Sequence, residues 1–325
     1  MAVCVRPNND TAESQRGVSL RRLTFVVALG ILLVAAACGG GEKTELTTVA
    51  TLPTGKIAFT SLRDGKGEIY LLSREGEVNV TNDPGEDIEA SLSPDGEKIA
   101  FASNREGIFH IYVVNVDGSG LEKLTDDPAG DLSPRWSPDG TQIAFSRTGS
   151  LYVMNSDGSN VRQLIVAELE ATAPPCKAGA FLGGWSPDGQ RLTFYAASST
   201  RGIGQICTIG LDGSEPTLVA SEPPAYHVEP AWSPDGEWIV YRFVQPDDNA
   251  EIYKVRPDGT SSTDLTNDPG ADIEPTWSPD GKWIAFSSLR GDFKNFDLYV
   301  MKPDGSDLKR VTSDPAKDSD PSWGP

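Results

Sequence analysis

A tetrapeptide that returns at near-regular intervals constrains this chain more than any other feature. Ser-Pro-Asp-Gly stands at Ser93–Gly96, Ser137–Gly140, Ser186–Gly189, Ser233–Gly236 and Ser278–Gly281, and Pro53-Thr54-Gly55 is a worn sixth copy. Each is followed by an alternating apolar triplet, from Ile57-Ala58-Phe59 and Ile99-Ala100-Phe101 through Ile143-Ala144-Phe145, Leu192-Thr193-Phe194 and Ile239-Val240-Tyr241 to Ile284-Ala285-Phe286. The intervals are 42, 44, 49, 47 and 45 residues. Proline fixes φ and glycine accepts a positive φ, so each Pro-Asp-Gly is a tight turn between two strands. A third strand follows, as in Ile111-Tyr112-Val113-Val114, then an Asp-Gly turn and a fourth strand ending in Leu-Thr. Four short antiparallel strands in such a period predict the blade of a β-propeller.

Composition agrees. With 33 Gly, 24 Pro and no long apolar helical period beyond residue 37, the chain reads as all-β. Second, third and fourth strands each number six from Lys56 onward, and first strands number six only if Ser319–Gly324 is included. The expectation is a six-bladed β-propeller with four antiparallel strands per blade. Its C-terminal strand completes the N-terminal blade, which leaves no open edge in the ring. Trp136, Trp185, Trp232, Trp277 and Trp323 close the first strands, with Leu92 in the remaining copy. They are expected to pack between blades, the alternative being a stacking platform for a ligand.

The run from Trp136 to Leu164 holds Trp-Ser-Pro-Asp-Gly, Ile-Ala-Phe, a Tyr-Val-Met-Asn strand and Asp-Gly-Ser in order. This resembles the WD-like repeat of the TolB-type propellers, and the resemblance covers residues 51–325. It implies a binding or assembly module of the cell envelope. The same repeat also occurs in the propellers of prolyl-oligopeptidase-type peptidases and of some lyases, so an enzyme stays open as the alternative.

Arg21 and Arg22 precede the apolar run Leu23–Ala37, too short for a comfortable membrane span and the right length for a secretory signal. Ala35-Ala36-Ala37 before Cys38 resembles a bacterial lipobox, which implies acylation of Cys38. The expected organisation is a signal at 1–37, a lipidated tether at 38–50 and the propeller at 51–325. Residues 1–17 lie upstream of a complete signal, so initiation is expected at Val18. Of the remaining cysteines, Cys176 and Cys207 either form a disulfide or stay as two buried thiols.

The formal net charge is −19 and rises to −21 once residues 1–37 are removed. Repulsion from phosphates excludes a general nucleic-acid binder, and solubility or attraction of basic partners explains the acidity. No Gly-x-Ser-x-Gly, His-Glu-x-x-His, Cys-x-x-Cys or phosphate-binding loop is present. His110 reads as a solvated strand-end residue. His227, in a loop beside Glu229, is the residual candidate for a metal or acid–base role. No catalytic residue, cofactor or metal is expected.

Asp87, Asp131, Asp272 and Asp318 recur before the first strands, and Glu89, Glu229, Glu274 and Asp320 come two positions later. Turn capping accounts for such residues, and the functional alternative is a carboxylate ring at one mouth of the channel. Loop lengths choose the face. Third-strand Tyr or Cys to turn Gly is 6 residues in every copy, whereas turn Gly to the next turn Pro runs 18, 20, 29, 21, 20 and 20. All the variation falls on one side of the disc, and binding residues concentrate on variable loops held by a rigid scaffold. The overall expectation is an exported, lipid-anchored monomer that binds another envelope protein on the variable-loop face. The docking face would include those eight carboxylates, His227 and the insertion Ile165–Gly184. The alternative is a hydrolase or lyase acting on a small sugar or lactone.

Overall fold

Period-two apolar patterning between tight turns yields strands, and every regular element among the described residues is one. A computed structural model describes residues 50–165, 176, 179–198, 203–214, 216–223, 225–245, 249–291 and 294–325, all within the unit Glu45–Pro325. The expected signal, Cys38, the tether up to residue 49 and most of the insertion after Ile165 lie outside the described residues.

In chain order the strands are β1 (Lys56–Ser61), β2 (Glu68–Ser73), β3 (Gly76–Asn79), β4 (Asp87–Leu92), β5 (Lys98–Ser103), β6 (His110–Asn115), β7 (Glu122–Lys123) and β8 (Leu132–Trp136). Then come β9 (Gln142–Arg147), β10 (Ser150–Asn155), β11 (Arg162–Ile165), β12 (Gly179–Trp185), β13 (Arg191–Ser198), β14 (Ile203–Gly210), β15 (Thr217–Ala220) and β16 (Tyr226–Trp232). The last are β17 (Ile239–Val244), β18 (Ala250–Val255), β19 (Thr263–Asp264), β20 (Asp272–Trp277), β21 (Ile284–Ser288), β22 (Asp297–Met301), β23 (Lys309–Arg310) and β24 (Asp318–Gly324). Four-stranded sheets run β24-β1-β2-β3, β4 to β7, β8 to β11 and β20 to β23. The strands β12 to β19 form one eight-stranded sheet, whose halves join through a single parallel pair, Gly204 with Tyr226.

The turns explain why the repeat is spelled as it is. In each Ser-Pro-Asp-Gly the serine hydroxyl donates to the aspartate Oδ1 at 2.5–2.7 Å. It also accepts the N–H five residues on, at 2.9–3.0 Å. Those bonds satisfy donors that the turn would otherwise orphan. They also hold the Asp95, Asp139, Asp188 and Asp235 carboxyls below the usual carboxylate range, the serine bond foremost. The turn glycine has φ between 66° and 73° in the five complete copies, which a side chain would strain.

Side chains of each sheet leave both faces apolar, and neighbouring sheets cover them. One buried layer joins Ile57, Phe59 and Leu72 to Ala285, Leu298 and Trp323. Another joins Ala58, Ile69 and Leu71 to Ile99, Phe101 and Tyr112. Trp185 lies between β9–β10 and β13–β14, and Trp277 between β17–β18 and β21–β22. Sheets packed side by side around an axis in this way make a β-propeller.

The two ends of the described chain meet in one sheet. Strand β24 pairs antiparallel with β1, bringing Trp323 opposite Ile57 and Gly324 opposite Lys56. The Trp323 indole donates to the Thr54 carbonyl at 2.9 Å, and a Cβ at Gly55 would stand 2.1 Å from the Gly324 oxygen. We predict that Trp323→Ala costs about 3–5 kcal/mol in urea unfolding, the scale of an aromatic core deletion. Removing residues 319–325 should cost more, and a truncated protein that melts at the wild-type temperature would refute the clasp.

Candidate functional site

Four sheets carry the same buried device where the first strand begins. Asp87, Asp131, Asp272 and Asp318 are fully buried, each paired to an arginine at the end of the second strand or just beyond it. Arg105 reaches both Asp87 oxygens at 3.1 Å, Arg63 both Asp318 oxygens at 3.1 Å, and Arg147 the Asp131 oxygens at 2.6 and 3.0 Å. Arg290 bonds Asp272. Each guanidinium also lies over a phenylalanine of the second strand and a tyrosine of the third. For Arg105 the rings are Phe101 and Tyr112, at 5.6 and 4.8 Å. A planar cation suits both the carboxylate fork and the ring face.

The remaining two repeats lack both halves of the device. Ala180 and His227 stand at the aspartate position, and positions 198 and 245 are Ser and Gln. In the first of these, Cys207 replaces the third-strand tyrosine opposite Phe194, and its sulfur is bonded to Cys176 at 2.06 Å. In the second, the His227 ring stacks on Tyr241 at 5.3 Å and meets Phe243 edge-on at 5.0 Å, filling space over aromatics as the guanidinium does elsewhere. His227 is 3% exposed and neither ring nitrogen has a hydrogen-bond partner, so burial pushes its pKa down to about 4.

The second set of carboxylates converges on the axis. One cavity of about 350 Å³ is lined by β4, β8, β12, β16, β20 and β24, the first strands of all six repeats, with Tyr195 of β13. Each of β4, β8, β16, β20 and β24 has a register shift near this cavity. Within those shifts Glu89, Ser133, Glu229, Glu274 and Asp320 hold φ between 54° and 57°. A bulge of this kind re-aims a side chain, here toward the axis. Neighbours hold the strained residues in place. Glu89 Oε2 accepts the Ser133 N–H at 2.6 Å, Glu229 Oε2 that of Glu274 at 2.9 Å, and Glu274 Oε2 that of Asp320 at 2.7 Å. In β12 the place falls at Leu182-Gly183, where a Cβ on Gly183 would lie 2.3 Å from the Pro230 oxygen.

Crowding raises the pKa of Glu229, through burial first and then Glu274. Asp320 is raised well above its usual value by burial, then by Glu274 and Glu89. The Glu229 side chain keeps 27% exposure through the cavity, and that water tempers its shift. Arg242 bonds Glu229 at 2.9 Å. Arg135 enters the cavity but donates to the Gly183 and Pro134 carbonyls at 3.1 and 2.9 Å. Among the described residues no group of three or more His, Cys, Asp or Glu side chains is arranged to hold a metal ion.

Three readings of the sequence need correction. Asp87, Asp131, Asp272 and Asp318 belong neither to a docking face nor to turn caps, because the arginines opposite draw them fully inside. His227 is in strand β16 rather than a loop, and its aromatic neighbours exclude water. His110 is 6% exposed instead of solvated. Glu89, Glu229, Glu274 and Asp320 are brought together, inside the cavity rather than on an outer face. Sequence reading missed the arginines Arg63, Arg105, Arg147 and Arg290. Their signal was present, since an arginine stands two or four residues after the second-strand aromatic only where the aspartate also occurs.

An all-β propeller whose innermost strands ring an acidic axial cavity is the class that fold and site define. The chain belongs to the TolB β-propeller domain family, whose model matches residues 46–182 and 181–325. It is similar to the Protein TolB homolog of Chlorobium luteolum, 37% identical over 68 residues, which is 20% of this chain and 15% of that protein. TolB from Acinetobacter baumannii superposes with a TM-score of 0.70 at 18% identity, over 83% of this chain and 67% of that one. A protein described as TolB from Agrobacterium tumefaciens gives 0.62 at 22%, over 83% and 92%. At such identities these two likenesses are of fold.

Two measurements probe the site's chemistry. Removing one partner of a buried ion pair strands the other, so Asp131→Ala or Arg147→Ala alone should cost about 3–5 kcal/mol. The double variant should cost much less than the sum, and additive losses in urea unfolding would disprove the pairing. For His227, the unfolded chain takes a proton near the ordinary pKa of 6.5 and the folded chain only near about 4. Stability should therefore be full above pH 6.5 and fall as the pH drops, by about 3 kcal/mol at pH 4. His227→Phe should lose that increment, and melting curves of the two proteins that stay parallel from pH 7 to 4 would contradict it.

Proposed function

We propose that this chain is a six-bladed, extracytoplasmic and lipid-anchored propeller that binds or scaffolds another envelope protein through its variable-loop face. Taking the eight-stranded sheet as two blades gives six, in keeping with the six inner strands around one cavity and the six interface layers. Membership of the TolB propeller family supports an envelope role. The apolar run before Cys38 supports export and anchoring.

One observation carries the choice of face. Nine large apolar side chains are exposed among the described residues, and five of them, Leu62, Ile108, Leu132, Phe181 and Tyr226, sit on the variable-loop side. The other four, Val78, Leu121, Val161 and Leu218, lie on outermost strands or the turns leading into them. Apolar surface gathered on one face marks an interaction site. The enzymatic alternative has less to stand on, since neither His110 nor His227 lines the axial cavity.

A photo-crosslinking residue placed at Ile108 tests the reading in cells, with one at Asp280 on the Pro-Asp-Gly face as control. The protein should fractionate with membranes, Cys38→Ser should release it, and adducts should form from position 108 and decline with added salt. Adducts from position 280 alone would overturn the docking face.

A further inference from the structure

Asn79 belongs to the only Asn-x-Ser or Asn-x-Thr tripeptide in residues 51–325, within Glu77-Val78-Asn79-Val80-Thr81, and the middle residue is not proline. On an exported chain that pattern is an acceptor for an N-linked sugar chain. Its threonine has a structural explanation. Thr81 Oγ1 accepts the Ile69 N–H at 3.0 Å, as Thr125, Thr266 and Thr312 accept those of Ile111, Ile252 and Leu298 at 2.9 Å. The asparagine is different, since those three repeats hold Lys123, Asp264 and Arg310 in its place. Asn79 Oδ1 accepts the Thr81 and Asn82 N–H groups, each at 3.1 Å. Asp264 caps its own turn in the same way, accepting the Thr266 N–H at 3.2 Å. A turn cap therefore calls for the oxygen and not for the amide nitrogen.

That nitrogen is placed for substitution. Asn79 ends β3, the outermost strand of its sheet. Beside it stands Val78, which at 60% is the most exposed large apolar side chain among the described residues. Nδ2 donates to Asp64 Oδ2 at 2.9 Å, a bond that takes one of its two hydrogens. The neighbouring Tyr70 hydroxyl gives its own hydrogen to the same oxygen at 2.5 Å. A sugar that replaces the other amide hydrogen leaves the Asp64 bond and both bonds at Oδ1 in place. It also covers a strand edge beside an exposed apolar side chain, the kind of edge on which chains associate.

Resting on the export reading above, we infer that Asn79 is an N-glycosylation site. The donor is a sugar chain held on a lipid pyrophosphate, and a separate transferase at the membrane delivers it. Nδ2 forms a bond to the anomeric carbon of the first sugar. The bond from that carbon to the pyrophosphate oxygen breaks, its electron pair leaves with the pyrophosphate, and the displaced amide proton passes to a base of the transferase.

Mass spectrometry of the full chain, isolated from the membranes of the cells that make it, tests the site. Cleavage after Arg74 and Lys98 isolates peptide 75–98, which holds Asn79. That peptide should carry a sugar chain, and fragmentation should place it on Asn79. Asn79→Asp keeps a capping oxygen of the kind Asp264 supplies, so the variant should fold and yield only the bare peptide. Asn79→Gln should also lose the sugar, whereas Thr81→Ser, which keeps the hydroxyl, should retain it. A peptide that is bare throughout in protein beginning at Cys38 would overturn the inference and spare the export reading. So would a sugar on another residue of the peptide that persists in Asn79→Asp. Protein that still carries residues 18–37 would sink both.

Discussion

The apolar layers between neighbouring sheets are the interaction on which everything else depends. Each sheet is two-faced and cannot bury itself, so it is stable only with a neighbour on either side. A row of such sheets ends in two exposed apolar faces unless it closes. Closure here falls to β24, which donates Trp323 to the layer shared by Phe59 and Leu298. Once closed, the ring leaves little of the sheet interior free to vary without opening a cavity. Differences between repeats are thereby driven to the connections and to the strand positions that face the axis.

This division decides what the sequence reveals. Strand order, turn type and the packing role of the tryptophans are written in short windows, because Pro, Asp, Gly and alternating apolar residues act on their immediate neighbours. The histidine and aspartate environments are not. Asp131 and Arg147 are separated by 16 residues and Asp318 and Arg63 by 255. Only the three-dimensional register turns these acids inward, so composition alone made them look solvent-facing. The axial carboxylates were partly legible, through their repeat two positions after the aspartates. Their left-handed backbone and their bonds to the next sheet were not, because a bulge has no residue signature as plain as Pro-Asp-Gly. Nothing in the spacing distinguished Arg135, which takes a position held elsewhere by Ser91, Gly184, Ala231, Thr276 and Ser322.

The joint loss of aspartate and arginine follows from the energetics of buried ion pairs. Keeping one member without the other leaves a charge desolvated and unpaired, at several kcal/mol, whereas losing both is tolerable if the volume is refilled. The two exceptional repeats refill it differently. One uses a disulfide closing a sequence separation of 31, which removes about 3–4 kcal/mol of chain entropy from the unfolded state. The other uses a neutral histidine among aromatic rings, whose burial contributes without a charge to satisfy.

The axial carboxylates present the opposite case, a charge retained where structure does not demand one. Three of the left-handed residues at the bulge, Ser133, Glu274 and Asp320, find an acceptor for the N–H in Glu89, Glu229 and Glu274 of the preceding sheet. A glutamine oxygen would accept the same bond at similar reach, with no desolvated charge and no repulsion from its neighbours. Burial, and after it the Glu274 carboxylate, instead pushes the protonation of Glu229 and Asp320 upward, with Arg242 offsetting part of it at Glu229. The staple accounts for the oxygen at Glu89, Glu229 and Glu274 but not for its charge.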